Sequence, residues 1–158
     1  MRQHVSILGS TGSIGTSALE LTRKNPDKIE IMALAAGDQI DILAAQVKEF
    51  KPRLVSTKTE AGCKQLKKHL GETQGIEFAF GVEGAEAVAA YTSSTVVLSA
   101  IVGAAGLRPT LAAARAGKII ALANKESMVV AGALVKDLVA VHKATLLPVD
   151  SEHSAIHQ

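Results

Sequence analysis

The chain has 158 residues, 47% of them apolar and 20% charged, a balance that suits one globular domain with a real core. A formal net charge of +2, basic residues that are scattered rather than gathered into a stripe, and 3% aromatics without tryptophan argue against a nucleic-acid partner. Cys63 is the single cysteine, which excludes an intramolecular disulfide; no apolar leader follows Met1 and no window reaches the length of a membrane span, so a cytoplasmic protein without a membrane partner is expected.

The apolar run Val5-Ser6-Ile7-Leu8 reads as a first strand, and Gly9-Ser10-Thr11-Gly12-Ser13-Ile14-Gly15 follows it directly. A chain that leaves a buried strand and turns sharply into a helix needs backbone angles that favour glycine, which accounts for Gly9. At Gly12 a missing side chain lets the backbone approach a pyrophosphate, while the free amides of the next helical turn point at the anion. Thr11 and Ser13 add hydroxyls. Gly15 falls on the helix face pressed against the first strand. The spacing departs from the usual dinucleotide fingerprint, so the strand before it and the helix after it carry most of the weight.

Helical spacing over Ser13 to Lys24 ends at Pro26, and Ile29 to Ala36 turns from alternating to continuously apolar, as a strand covered on both faces does. Gln39 to Phe50 predicts a helix, Leu54 to Ser56 a short strand, and Thr59 or Glu60 to Leu70 a helix whose Lys64, Lys67 and Lys68 form a solvated face. Glu77 to Phe80, Thr95 to Ser99, Lys118 to Ala123 and Thr145 to Val149 read as strands, separated by helices over Glu83 to Tyr91, Leu107 to Ala116 and Ser127 to His142. Ile101 to Gly106 is too rich in small residues to be only a connection, and a last helix is expected from Ser154. Strands alternating with helices throughout predict an α/β fold, Rossmann-like and doubly wound, with a mostly parallel sheet and helices on both faces. Ligands of such sheets bind outside the carboxyl ends of the strands, where the polar clusters at 9–14, 37–39, 101–106, 124–126 and 150–152 all fall.

Two of those clusters admit two readings each. Asp38 lies about where such folds place the acid that takes ribose hydroxyls, roughly 20 residues beyond the glycine turn, and equally where an N-cap of the next helix would stand. Asp150 and Glu152 are two hard oxygen ligands one residue apart, suited to Mg²⁺ or Mn²⁺, or else caps of the helix expected from Ser154. Lys125 beside Glu126 is an ion pair at a helix start, or a lysine placed to orient a hydroxylated substrate. His153 and His157 share a helical spacing but lack a further ligand.

Taken together, Gly9 to Gly15, Ala100-Ile101-Val102-Gly103-Ala104-Ala105-Gly106-Leu107, Leu122-Ala123-Asn124-Lys125-Glu126-Ser127 and Pro148-Val149-Asp150-Ser151-Glu152-His153 resemble the 1-deoxy-D-xylulose 5-phosphate reductoisomerases. The resemblance implies an NADPH-dependent, divalent-metal-dependent enzyme that rearranges a sugar phosphate and reduces it to 2-C-methyl-D-erythritol 4-phosphate in non-mevalonate isoprenoid synthesis, homodimeric at full length. By the same resemblance Thr11, Gly12, Ser13 and Ile14 hold the pyrophosphate, Gly37, Asp38 and Gln39 the adenosine ribose phosphate, and Asn124 and Glu126 the cofactor further along. Lys125, Ser151 and Glu152 bind substrate, with Lys125 and Glu152 catalytic, and Asp150 and Glu152 ligate Mn²⁺ or Mg²⁺. Residues 1–149 are then the NADPH-binding domain and 150–158 the start of a catalytic domain whose remainder is absent, so this piece is expected to bind cofactor without turnover. Family members often carry a basic or amide residue where this chain has Asp38, whose carboxylate would repel a 2′-phosphate. A different NAD(P)-dependent Rossmann dehydrogenase and a non-catalytic nucleotide sensor are the competing readings.

Overall fold

A computed structural model of the chain describes residues 1–149, and the expectations for Asp150, Ser151, Glu152 and the helix from Ser154 lie outside the described residues. Strands and helices alternate as β1 (Gln3–Leu8), α1 (Ser13–Lys24), β2 (Ile29–Ala35), α2 (Ile40–Phe50), β3 (Leu54–Thr57), α3 (Glu60–Leu70), β4 (Glu77–Phe80), α4 (Gly81–Ala89), β5 (Val96–Ser99), α5 (Leu107–Arg115), β6 (Ile119–Leu122), α6 (Lys125–Val141) and β7 (Thr145–Pro148). A 3-10 turn, Ala104–Gly106, precedes α5. All strand pairs are parallel in the order β4-β3-β2-β1-β5-β6-β7. The chain starts in the middle of the sheet, winds outward to β4, returns beside β1 and winds outward the other way. That reversal opens a crevice between the carboxyl ends of β1 and β5, the place where such sheets bind ligands.

Two cores follow from the two windings. On one face Ile7, Ile31, Leu34 and Val55 pack against Leu19 of α1, Leu43 and Val47 of α2 and Leu66 of α3. On the other, Leu8, Ala33, Ala35, Val97 and Ile120 pack against Val88 and Ala89 of α4 and Ala113 and Ala114 of α5. Alternation would put Ile31 and Leu34 on opposite faces, yet both join one core. The reason is a register shift against β1, where Val5 pairs with Ile31 but Ser6 with Ala33. The extra residue, Met32, reverses the parity of β2 as a bulge does, and explains why its sequence stops alternating midway.

Boundaries differ from the expected ones at few places. Helix α4 begins at Gly81, whose φ of +73° turns the chain out of β4 at once. Helix α6 begins at Lys125 rather than Ser127, because Asn124 Oδ1 accepts from the Ser127 amide at 3.1 Å and so caps it. Its helical geometry is interrupted at Ala131 (φ −141°, ψ 32°), beside Gly132.

Candidate functional site

The glycine turn is pinned before it meets any ligand. Amides of Gly9 and Ser10 both donate to the Ala35 carbonyl of β2, at 2.8 and 3.0 Å, and the Ser10 carbonyl accepts from buried Gln46 of α2 at 2.9 Å. Gly9 has φ +87°, and a Cβ there would stand 2.6 Å from the Ala100 carbonyl oxygen at the end of β5. At Gly15 a Cβ would run into the Gly9 carbonyl and the Ser10 backbone, so this first turn of the helix packs directly on the glycine turn. Gly12 differs. Its φ is −78°, and a Cβ would meet only the Gly9 carbonyl at 3.6 Å, an ordinary contact. Nothing within the protein demands glycine at 12. The helix that follows has no side-chain cap, which leaves its first-turn N–H groups toward the crevice. Ser13 and Ile14 are exposed there and Thr11 is half-buried.

Across the crevice, the segment after β5 is held by Asn124, which is 2% exposed. Its Nδ2 donates to the carbonyls of Ile101 and Gly103, at 2.5 and 3.1 Å, while its Oδ1 caps α6. Gly106 has no room for a Cβ because the Asn124 amide lies against it. Thr110 Oγ1 donates to the Gly106 carbonyl at 2.7 Å and lies 2.8 Å from Ser99 Oγ, tying the end of β5 to α5. Gly103, at φ +78°, lets this short segment turn.

These fixed pieces enclose two cavities. One, of about 310 Å³, is lined by Gly12 to Ile14, Ala100 to Val102 and Ala123 to Glu126. The other, of about 400 Å³ and largely apolar, is lined by Ala35 to Gly37, Ser56 to Lys58, and residues of α4 and the segment after β5. Ile101 and Val102 belong to both. Gly12, Ser13, Ile14, Asn124, Lys125 and Glu126 therefore converge, whereas Gly37 stands in the second cavity. Asp38 and Gln39 lie around its rim, in a shallower depression of about 240 Å³. The cap position of α2 is Gln39, without a side-chain bond, so Asp38 is not the N-cap. Its carboxylate instead faces Lys58 Nζ at 3.5 Å.

Lys58, Gln46 and the Ser99–Thr110 pair lie outside the clusters that the sequence singles out. Lys58 was findable, since it follows directly on β3 at the ligand edge; the cap signal of Asn124 three residues before Ser127 was also available. A larger cavity of about 610 Å³ lies at the opposite edge, where Lys48, Lys51 and Arg53 face Glu30 and Glu72. At that edge too, buried Lys118 donates to the carbonyls of Tyr91, Thr92 and Ser94, and burial holds its pKa below the usual lysine value. Among the described residues no group of three or more His, Cys, Asp or Glu is placed to hold a metal ion, and no helix is long and apolar enough to cross a membrane.

Residues 5–132 match the family model described as 1-deoxy-D-xylulose 5-phosphate reductoisomerase. A protein of that name from Chlorobium phaeobacteroides (strain BS1) is 57% identical over 154 residues, 98% of this chain and 40% of the relative. The chain thus spans about two fifths of the length of the curated relatives it matches. Among solved structures, the reductoisomerase from Zymomonas mobilis in complex with NADPH is 41% identical with a TM-score of 0.93, covering 100% of this chain and 41% of that one. A reductoisomerase in complex with NADPH, fosmidomycin and magnesium is 44% identical with a TM-score of 0.94, covering 99% and 38%.

Proposed function

Because the chain belongs to the 1-deoxy-D-xylulose 5-phosphate reductoisomerase family, we propose that the protein it represents converts 1-deoxy-D-xylulose 5-phosphate to 2-C-methyl-D-erythritol 4-phosphate with NADPH and Mn²⁺ or Mg²⁺, and that residues 1–149 are its NADPH-binding domain. One observation carries the cofactor half: Gly12 is glycine without any internal need for it, at an uncapped helix start that opens on the cavity shared with Asn124 to Glu126. A pyrophosphate fits that vacancy, since a backbone without Cβ and a row of free amides are what an anion of that shape requires.

Thr11 to Ile14 grip the pyrophosphate in this reading, and the apolar cavity beside Gly37 receives the adenosine. The nicotinamide end points toward Asn124 and Glu126. Lys125, at the first turn of α6, orients the sugar-phosphate hydroxyls together with Ser151 and Glu152. Asp150 and Glu152 are an oxygen donor pair suited to Mn²⁺ or Mg²⁺. A cation held there supplies charge stabilisation to the substrate's oxygens. Homodimer formation and a cytoplasmic location belong to the same reading.

Two measurements test it. Calorimetric titration of the 158-residue chain with NADPH is expected to show saturable binding, with no turnover of the sugar phosphate. In the complete protein, Asp150→Asn with Glu152→Gln is expected to abolish metal-supported turnover while NADPH binding persists. No binding in the first, or full turnover in the second, overturns the reading.

A further inference from the structure

The position of Asp38 raises a difficulty for NADPH. An acid at the end of β2 takes the ribose hydroxyls of NADH and repels the 2′-phosphate of NADPH. The neighbouring strand offers the remedy. Strands β2 and β3 run parallel with Ala35 opposite Ser56, so the residues just past their ends, Asp38 and Lys58, emerge side by side. The Lys58 ammonium lies 3.5 Å from Asp38 Oδ2, with both side chains largely exposed to solvent. Lys58 is also the one cationic side chain among the described residues lining the apolar cavity or the depression at its rim. The other charged groups at that rim are Asp41, whose carboxylate lies 2.9 Å from His69 Nε2, and Asp38 itself.

We propose that Lys58 is the residue that selects NADPH, its ammonium leaving Asp38 to bind the 2′-phosphate, an assignment that rests on the cofactor reading above. Without ligand, Asp38 holds the ammonium at the mouth of the adenosine cavity. With a 2′-phosphate present, the ammonium exchanges one carboxylate for a group of higher charge, and Asp38 stays as an acceptor for a ribose hydroxyl. The pair sets a ratio: Lys58 favours the phosphorylated dinucleotide and Asp38 the unphosphorylated one.

The test is calorimetric titration of the 158-residue chain, wild type and variants, with NADPH, NADH and 2′,5′-ADP. Lys58→Met is expected to weaken NADPH and 2′,5′-ADP about tenfold, the scale of one charge-assisted bond, with NADH changed by less than about twofold. Lys58→Arg is expected to retain the preference, and Asp38→Asn to tighten NADPH and weaken NADH. The wild-type preference is expected to shrink as salt screens an exposed pair. If Lys58→Met binds both dinucleotides with the wild-type ratio, the assignment fails and the cofactor reading stands. If the wild-type chain binds neither, both fall.

Discussion

The two ends of the parallel sheet differ in a way that volume alone would misjudge. The edge where the strands begin has the larger cavity, about 610 Å³, whose lining includes the exposed charged chains of Lys48 and Arg53. The edge where the strands end has smaller ones, of about 310 and 400 Å³, walled in part by the glycine turn and by the small residues after β5. There, glycines at 9, 15 and 106 leave no space for a side chain, and buried Asn124, Thr110 and Gln46 fix carbonyls in place. A ligand that must be held in one pose is served by groups ordered in advance, because no further ordering is needed on binding.

That contrast can be broken most severely at Gly15. Gly15→Val pushes a branched side chain into the Gly9 carbonyl and the Ser10 backbone, which cannot rotate aside, so a loss of about 3 kcal/mol or more is expected in urea unfolding. Next comes Asn124→Ala, which removes the α6 cap and the donor to two carbonyls; about 2 kcal/mol is expected. Asn124→Asp keeps the cap and loses the donors, so an unfolding free energy equal to wild type would show that the bonds to Ile101 and Gly103 carry no weight.

At the other edge the effects are smaller. Burial lowers the Lys118 pKa from 10.5, so between the folded and unfolded values the unfolded chain binds more protons and stability rises with pH. Urea unfolding at rising alkaline pH is expected to show this gain in wild type relative to Lys118→Met; a falling difference contradicts it. Smallest of all, Lys48→Ala with Arg53→Ala, at the larger cavity, is expected to leave NADPH affinity in calorimetry within about twofold, as for exposed charges far from the ligand. A tenfold loss would move the site.

Much of this was legible in the letters. Alternation of strand and helix sufficed for a doubly wound sheet, and the clusters at 12–14 and 124–126 do meet in one cavity. What stayed hidden depends on parity or on distance. The bulge at Met32 reassigns every later residue of β2 to the opposite face, and no local pattern announces it. The spacing of Asn124 from Ser127 offers a cap, but the bonds from its Nδ2 to Ile101 and Gly103, more than 20 positions away, do not show in the sequence. Lys58 and Asp38 are 20 positions apart and become neighbours only through the β2–β3 register.

The most direct test of the central claim is Gly12→Ala, measured for stability and for NADPH affinity in one preparation. A methyl group at this position meets no close neighbour, so a loss of no more than about 1 kcal/mol, the cost of alanine for glycine at a helix N-cap, is expected in unfolding free energy, together with NADPH binding weakened about tenfold or more. Unchanged NADPH affinity, with the fold intact, would contradict the claim that the open face of Gly12 is where the pyrophosphate lies.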